Sequence, residues 1–218
     1  MRAEIKFCGL TRATDAREAV ALGARYVGVI FASGPRLLSV EQAREVLGEV
    51  PDTVHRVGVF GDTTADAVAA AAETLRLRAV QLHGEKNDIR LLDSIRSRFD
   101  GEVWMVIRVR DGRLPETAAE GFARADAVLL DAHVAGKLGG TGVALPWERL
   151  MDELGPIRNG GRGARLVLAG GLNAENVGEA IRLLRPDVVD VSSGVETAPG
   201  IKDHARMRAF RDAVHASK

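Results

Sequence analysis

The chain has 218 residues, with 30 Lys+Arg balanced by 30 Asp+Glu, so it carries no net field to draw nucleic acid or an anionic membrane surface. Its one cysteine, Cys8, excludes an internal disulfide framework and a cysteine-rich metal site. The charged opening Met1-Arg2-Ala3-Glu4-Ile5-Lys6, and the lack of any long apolar run, predict a cytoplasmic protein with no signal peptide and no membrane span.

Short β-rich runs alternate with longer helix-like segments along the whole chain. Strands are predicted at 5–8, 26–31, 54–60, 79–82, 103–107, 127–131, 166–169 and 188–191. The segments between and after them, 14–22, 40–47, 64–75, 88–97, 115–122, 147–154, 174–184 and 203–214, are rich in Ala, Glu, Arg and Leu and read as helices. Several open on capping residues: Thr14 or Asp15, Ser39 with Gln42, and Asn173. Regular strand–helix alternation implies a parallel sheet, and eight units imply its closure into a single (β/α)8 barrel domain over 1–218. Aromatics supply only 4% of the residues, so the interior must be built from Ala, Val, Leu and Ile. The glycine-rich stretch 158–163 reads as a loop on the face away from any active site.

Three glycine-bearing turns crowd the second half: Gly139-Gly140-Thr141-Gly142, Ala169-Gly170-Gly171-Leu172 and Val191-Ser192-Ser193-Gly194-Val195. Glycine between a strand and a helix lets backbone N–H groups approach an anion. Two such turns after the last two strands of a barrel form the usual phosphate site of that fold. They predict a phosphorylated small molecule over the C-terminal face.

The other strand ends supply reactive groups. Cys8-Gly9-Leu10-Thr11 closes the first strand, and Ser33-Gly34-Pro35-Arg36 follows the second. Gln81-Leu82-His83-Gly84 ends the fourth, and Leu129-Leu130-Asp131 the sixth. Each has a plain structural alternative: Cys8 as a small buried hydrophobe, Asp131 as a cap or an ion-pair partner of Arg108 or Lys137, Arg36 as a solvated loop arginine, His83 as a satisfied structural histidine. Taken in order, these segments resemble the phosphoribosylanthranilate isomerase family of tryptophan biosynthesis, from Lys6-Phe7-Cys8-Gly9-Leu10-Thr11 to Gly200-Ile201-Lys202-Asp203. Gly34 stands where many relatives carry a serine.

The resemblance implies an Amadori rearrangement of N-(5-phosphoribosyl)anthranilate to its 1-deoxyribulose 5-phosphate. It implies Cys8 as the general base and Asp131 as the general acid. A free thiol with a pKa of about 8.5 supplies some thiolate at neutral pH, and a carboxyl in a partly apolar site retains a proton to donate. Arg36 matches the arginine that holds the aromatic carboxylate. Gly170, Gly171, Ser192, Ser193 and Gly194 would hold the phosphate, with Gly140, Thr141 and Gly142 in a loop beside the ligand. His83 lies in a Gln-Leu-His-Gly segment that the family also has, and is either a substrate contact or a satisfied structural histidine. No metal and no organic cofactor are expected, and His55, His133, His204 and His215 share no ligand spacing with His83. The expected partner is the sugar phosphate with its aromatic carboxylate; the sequence does not choose between monomer and homodimer. The histidine-pathway isomerase of the same chemistry would place an aspartate at the first strand end, and a metal-dependent epimerase would cluster His and Asp. A catalytically silent phosphate-binding barrel would have no use for Cys8, Asp131 and Arg36 together.

Overall fold

The computed structural model describes residues 2–84, 89–109, 112–132, 147–158 and 163–217. Eight parallel strands close into a barrel in chain order: β1 (Glu4–Phe7), β2 (Tyr26–Ile30), β3 (His55–Phe60), β4 (Ala79–Leu82), β5 (Glu102–Val109), β6 (Ala127–Ala132), β7 (Arg165–Ala169) and β8 (Val188–Val191). β8 pairs back onto β1, with Lys6 opposite Asp190 and Phe7 opposite Val191. Every predicted strand is present, with ends within two residues of those read from the sequence. Closure pairs both edges of every barrel strand.

The helices α1 (Ala13–Ala21), α2 (Val40–Leu47), α3 (Ala65–Leu75), α4 (Ile89–Arg96), α5 (Ala118–Arg124), α6 (Trp147–Arg158), α7 (Val177–Leu184) and α8 (His204–Ala216) follow their strands in turn. Outward strand residues such as Phe7, Val27, Val80 and Val189 pack against buried helix residues such as Ala16, Val46, Val68 and Phe210. The inward residues form a separate cluster around Tyr26, Trp104, Leu129 and Val167, which fills the barrel. Two aromatics lie there: Tyr26 and Trp104 meet edge-to-face at 5.0 Å.

Ser39 and Gln42 form a reciprocal capping box on α2, as the sequence predicts. Two other predicted caps differ. Arg12 occupies the cap position of α1, and Asp15, one turn in, is fully buried in polar contacts instead. Asn173 caps a preceding turn, accepting from the Glu175 and Asn176 N–H groups, so α7 starts only at Val177. α6 runs to Arg158, past its predicted end, because Pro156 in the last turn forfeits just one backbone bond.

One feature is unannounced in the sequence. After β8, a 3-10 turn (Ser193–Val195) leads into a small antiparallel hairpin, β9 (Glu196–Ala198) and β10 (Ile201–Lys202), before α8. Thr11 donates to the Gly200 carbonyl at 2.5 Å, strapping this hairpin over the β1 end. Among the described residues no helix is long and apolar enough to cross a membrane.

Candidate active site

Alternation along β1 sends Lys6 and Cys8 to the same inward side. Lys6 is fully buried, and its ammonium donates to Asp190 Oδ2 and to Gln81 Oε1, both at 3.0 Å. Burial works against that charge, yet Asp190 and Cys8 hold its pKa above the ordinary lysine value. Cys8 itself is 5% exposed and unoxidised. Burial pushes its thiol pKa up, while Lys6 and, more weakly, Lys202 pull it down and Asp190 adds to the rise. The ready thiolate that a free cysteine would offer is therefore not what this pocket supplies unaided. The barrel interior taxes the charge, and nearby cations refund part of it.

Arg36, in the loop after β2, reaches across the mouth to the hairpin. Its Nε donates to Glu196 Oε1 at 2.8 Å and its Nη2 to Glu196 Oε2 at 2.5 Å. Glu196 also accepts from Lys202 Nζ at 2.8 Å, and Lys202 donates to the Ser192 carbonyl at 3.0 Å. These two cations hold the Glu196 carboxyl below its usual pKa despite burial. The Arg36 stem lies so close over Gly9 that a Cβ there would stand 2.6 Å from its Cδ. Arg36 is thus directed, as the sequence predicts, but by a carboxylate partner that sequence reading did not find.

Asp131 closes β6 beside Ala169 of β7, with its side chain 26% exposed at the mouth. Its register partner is Arg108, but that guanidinium donates to the His83 carbonyl at 2.9 Å. Across from the Asp131 carboxylate lies His83, with Nε2 3.9 Å from Oδ2. Burial lowers the His83 pKa below the ordinary histidine value, with Asp131 opposing. Its Nδ1 lies 3.5 Å from Gln81 Nε2. A polar chain therefore runs inside the barrel from Cys8 through Lys6, Gln81 and His83 to Asp131.

The two late turns stand side by side. Gly170 and Gly171 adopt φ of +89° and +70°. Gly194 fits so tightly that a Cβ would collide with the Leu172 carbonyl of the neighbouring turn. Ser192 is half-buried and Ser193 exposed. Residues Gly139, Gly140, Thr141 and Gly142, together with His133, Lys137 and the core of the 158–163 stretch, lie outside the described residues. Among the described residues no cluster of three or more His, Cys, Asp or Glu could hold a metal ion.

The structure brings Cys8, Arg36, His83, Asp131 and the two late turns to one face of the barrel. Reading the sequence missed Lys6, Gln81, Asp190, Glu196 and Lys202. Three of these carried a signal: Lys6 and Gln81 sit two residues before Cys8 and His83, on the same strand face, and Asp190 interrupts an apolar strand. Glu196 and Lys202 carried none, because only the hairpin turns them inward.

Residues 5–213 match the family model of N-(5'phosphoribosyl)anthranilate (PRA) isomerase. The N-(5'-phosphoribosyl)anthranilate isomerase of Acidithiobacillus ferrooxidans is 41% identical over 207 residues, 94% of each chain. The crystal structure of phosphoribosyl anthranilate isomerase from Thermotoga maritima superposes with a TM-score of 0.86 at 37% identity, covering 98% of both chains. A crystal structure of a phosphoribosyl anthranilate isomerase in complex with reduced 1-(o-carboxyphenylamino)-1-deoxyribulose 5-phosphate gives a TM-score of 0.82 at 36% identity and the same coverage. With the barrel, the strand-end set and these likenesses in agreement, the chain belongs to the N-(5'-phosphoribosyl)anthranilate isomerase family.

Proposed function

We propose that this protein isomerises N-(5'-phosphoribosyl)anthranilate to 1-(2-carboxyphenylamino)-1-deoxyribulose 5-phosphate in cytoplasmic tryptophan biosynthesis, with Cys8 as base and Asp131 as acid, acting as one barrel domain. The order of strands around the barrel carries this reading. The acid ends β6 and the base follows β1, while the strands between them, β7 and β8, bear the two phosphate turns. A sugar anchored by its phosphate at those turns lies between acid and base. Family membership, and a relative bound to a reduced product, support the same chemistry.

Asp131 donates its proton to the furanose ring oxygen as the C1–O bond breaks and the nitrogen lone pair forms a cationic imine. The Cys8 thiolate takes the proton from C2, and the C–H electrons form the C1–C2 double bond and neutralise the imine. The resulting enolamine loses its O–H proton and gains one at C1 to give the ketone. The imine cation acidifies C2, so a weak base in a dry site suffices. Gly170, Gly171, Ser192, Ser193 and Gly194 hold the phosphate, and Arg36 presents its remaining N–H groups to the aromatic carboxylate. His83, beside Asp131, faces the sugar; Gly140, Thr141 and Gly142 are assigned to the same ligand. Binding both ends of the substrate fixes C2 and the ring oxygen against base and acid.

The test is turnover of substrate generated in situ by the purified protein, together with rescue of a tryptophan auxotroph. Absence of both from folded protein rejects the reading. Activity on the histidine-pathway substrate alone would favour the competing isomerase.

A further inference from the structure

Lys6 is the least expected residue in the barrel. An ammonium that is fully buried costs several kcal/mol unless it is paired, so its retention calls for a use. Its partners hold it in place: Asp190 across the β1–β8 seam and Gln81 across the barrel, each at 3.0 Å. Its neighbour on the same inward face of β1 is Cys8. Gly28 of β2 makes room for both: a Cβ there would stand 3.0 Å from Cys8 Sγ and 3.3 Å from Lys6 Cε. The thiol and the lysine stem therefore share one small space against bare backbone.

We propose that Lys6 is a positioning residue for Cys8: its ammonium, fixed by Asp190 and Gln81, holds the thiolate form of the base inside the barrel. This rests on the assignment of Cys8 as base. The other charged groups acting on the thiol are Asp190 from β8, Lys202 from β10 and Arg36 from the loop after β2. Lys202 and Arg36 are both engaged by Glu196, whereas Lys6 shares the space against Gly28 with Cys8 and acts on it through its charge. Asp190 plays two opposed parts. It keeps Lys6 charged in a dry interior, and its own negative charge disfavours the thiolate.

Cys8 is the chain's one cysteine, so its ionisation can be followed without ambiguity by thiolate ultraviolet absorbance and by the pH dependence of iodoacetamide alkylation, with Cys8→Ala as blank. In Lys6→Met the midpoint should move to higher pH, with thiolate at neutral pH reduced about tenfold or more. The acidic limb of kcat should move with it while KM changes little. Asp190→Asn should move the midpoint less than Lys6→Met does, because it removes at once a charge that disfavours the thiolate and the partner that keeps Lys6 charged. Because Lys6→Met strands a buried carboxylate, the double variant Lys6→Met/Asp190→Asn provides a neutral interior, and its midpoint should still lie above wild type.

An unmoved midpoint in folded Lys6→Met overturns the proposal. So does a double variant restored to the wild-type midpoint, which would mean that Lys6 merely screens Asp190. The base assignment fails separately: Cys8→Ala would then keep its turnover, whatever the titrations report.

Discussion

Arg36 grips Glu196 through two parallel hydrogen bonds, and Glu196 in turn is shared with Lys202. The arginine assigned to the substrate's carboxylate thus rests on a carboxylate of the protein itself. Glu196 is 5% exposed and flanked by two cations, so it remains ionised as a fixed brace. An unbraced arginine would have to be ordered by the substrate, at a cost in side-chain entropy. Arg36→Met should raise KM by an amount equivalent to about 1–3 kcal/mol. Glu196→Gln should raise KM in the same direction by less, with kcat nearly kept. Steady-state kinetics decide the matter: a change confined to kcat in both variants would remove the carboxylate role.

Cys8→Ala and Asp131→Asn should each reduce kcat by roughly 10²–10⁴-fold, the usual contribution of a general base or acid. Circular dichroism should show an unchanged fold, because Cys8→Ala removes one small group and Asp131→Asn keeps the shape of the side chain. Near-normal turnover in either variant, after purification from a host deleted for its own enzyme, would remove that residue from the chemistry.

The two phosphate turns should respond differently to substitution. At Gly194 there is no space for a Cβ, so Gly194→Ala must push the turn away from Leu172 and weaken binding of inorganic phosphate and of reduced product together. Gly171 has open space around its Cβ position but a φ of +70°, so the obstacle there is backbone conformation, about 1–2 kcal/mol for a non-glycine residue. Gly171→Val should weaken phosphate binding with the core undisturbed, whereas Ser193→Ala should have a milder effect. Calorimetric titration with phosphate checks the order. Equal wild-type affinity in Gly194→Ala and Gly171→Val would place the anion elsewhere.

Acid stability should depend on Asp15. Burial tends to raise its pKa, but Arg12, His204 and the Lys202 N–H hold it below the ordinary value. Its oxygens lie 2.9 and 2.8 Å from the Arg12 donors, and 2.9 Å from His204 Nε2. A carboxyl with a depressed folded pKa stabilises fully above its unfolded pKa, near 4, and loses that contribution as pH falls through the lower folded value. Asp15→Asn should cost about 1–3 kcal/mol at neutral pH. In urea melts the gap between the two proteins should close below about pH 4. A gap that is constant down to pH 2 would show that packing, not charge, is what Asp15 supplies.

Exhaustive dialysis against a chelator should leave the rate unchanged, because both proton transfers are assigned to side chains and the phosphate to backbone turns. Restoration of a lost rate by one divalent ion would contradict that assignment.

Strand–helix alternation, the glycine turns and the reactive residues at strand ends are local properties. They follow from period, propensity and turn chemistry, so the sequence by itself determined the barrel and the positions of Cys8, Arg36, His83 and Asp131 along it. Even the inward side of Lys6 was legible, since strand residues two apart face the same way. Tertiary structure alone decided what those groups touch. Lys6 meets Asp190, and Arg36 meets Glu196, 184 and 160 residues apart in sequence, because the barrel closes β8 onto β1 and the hairpin folds over the mouth. The same closure buries Cys8, turning a thiol that would partly ionise in water into one whose charge must be held by neighbours. Desolvation and ion pairing depend on distances across the barrel, and no local pattern in the chain encodes them.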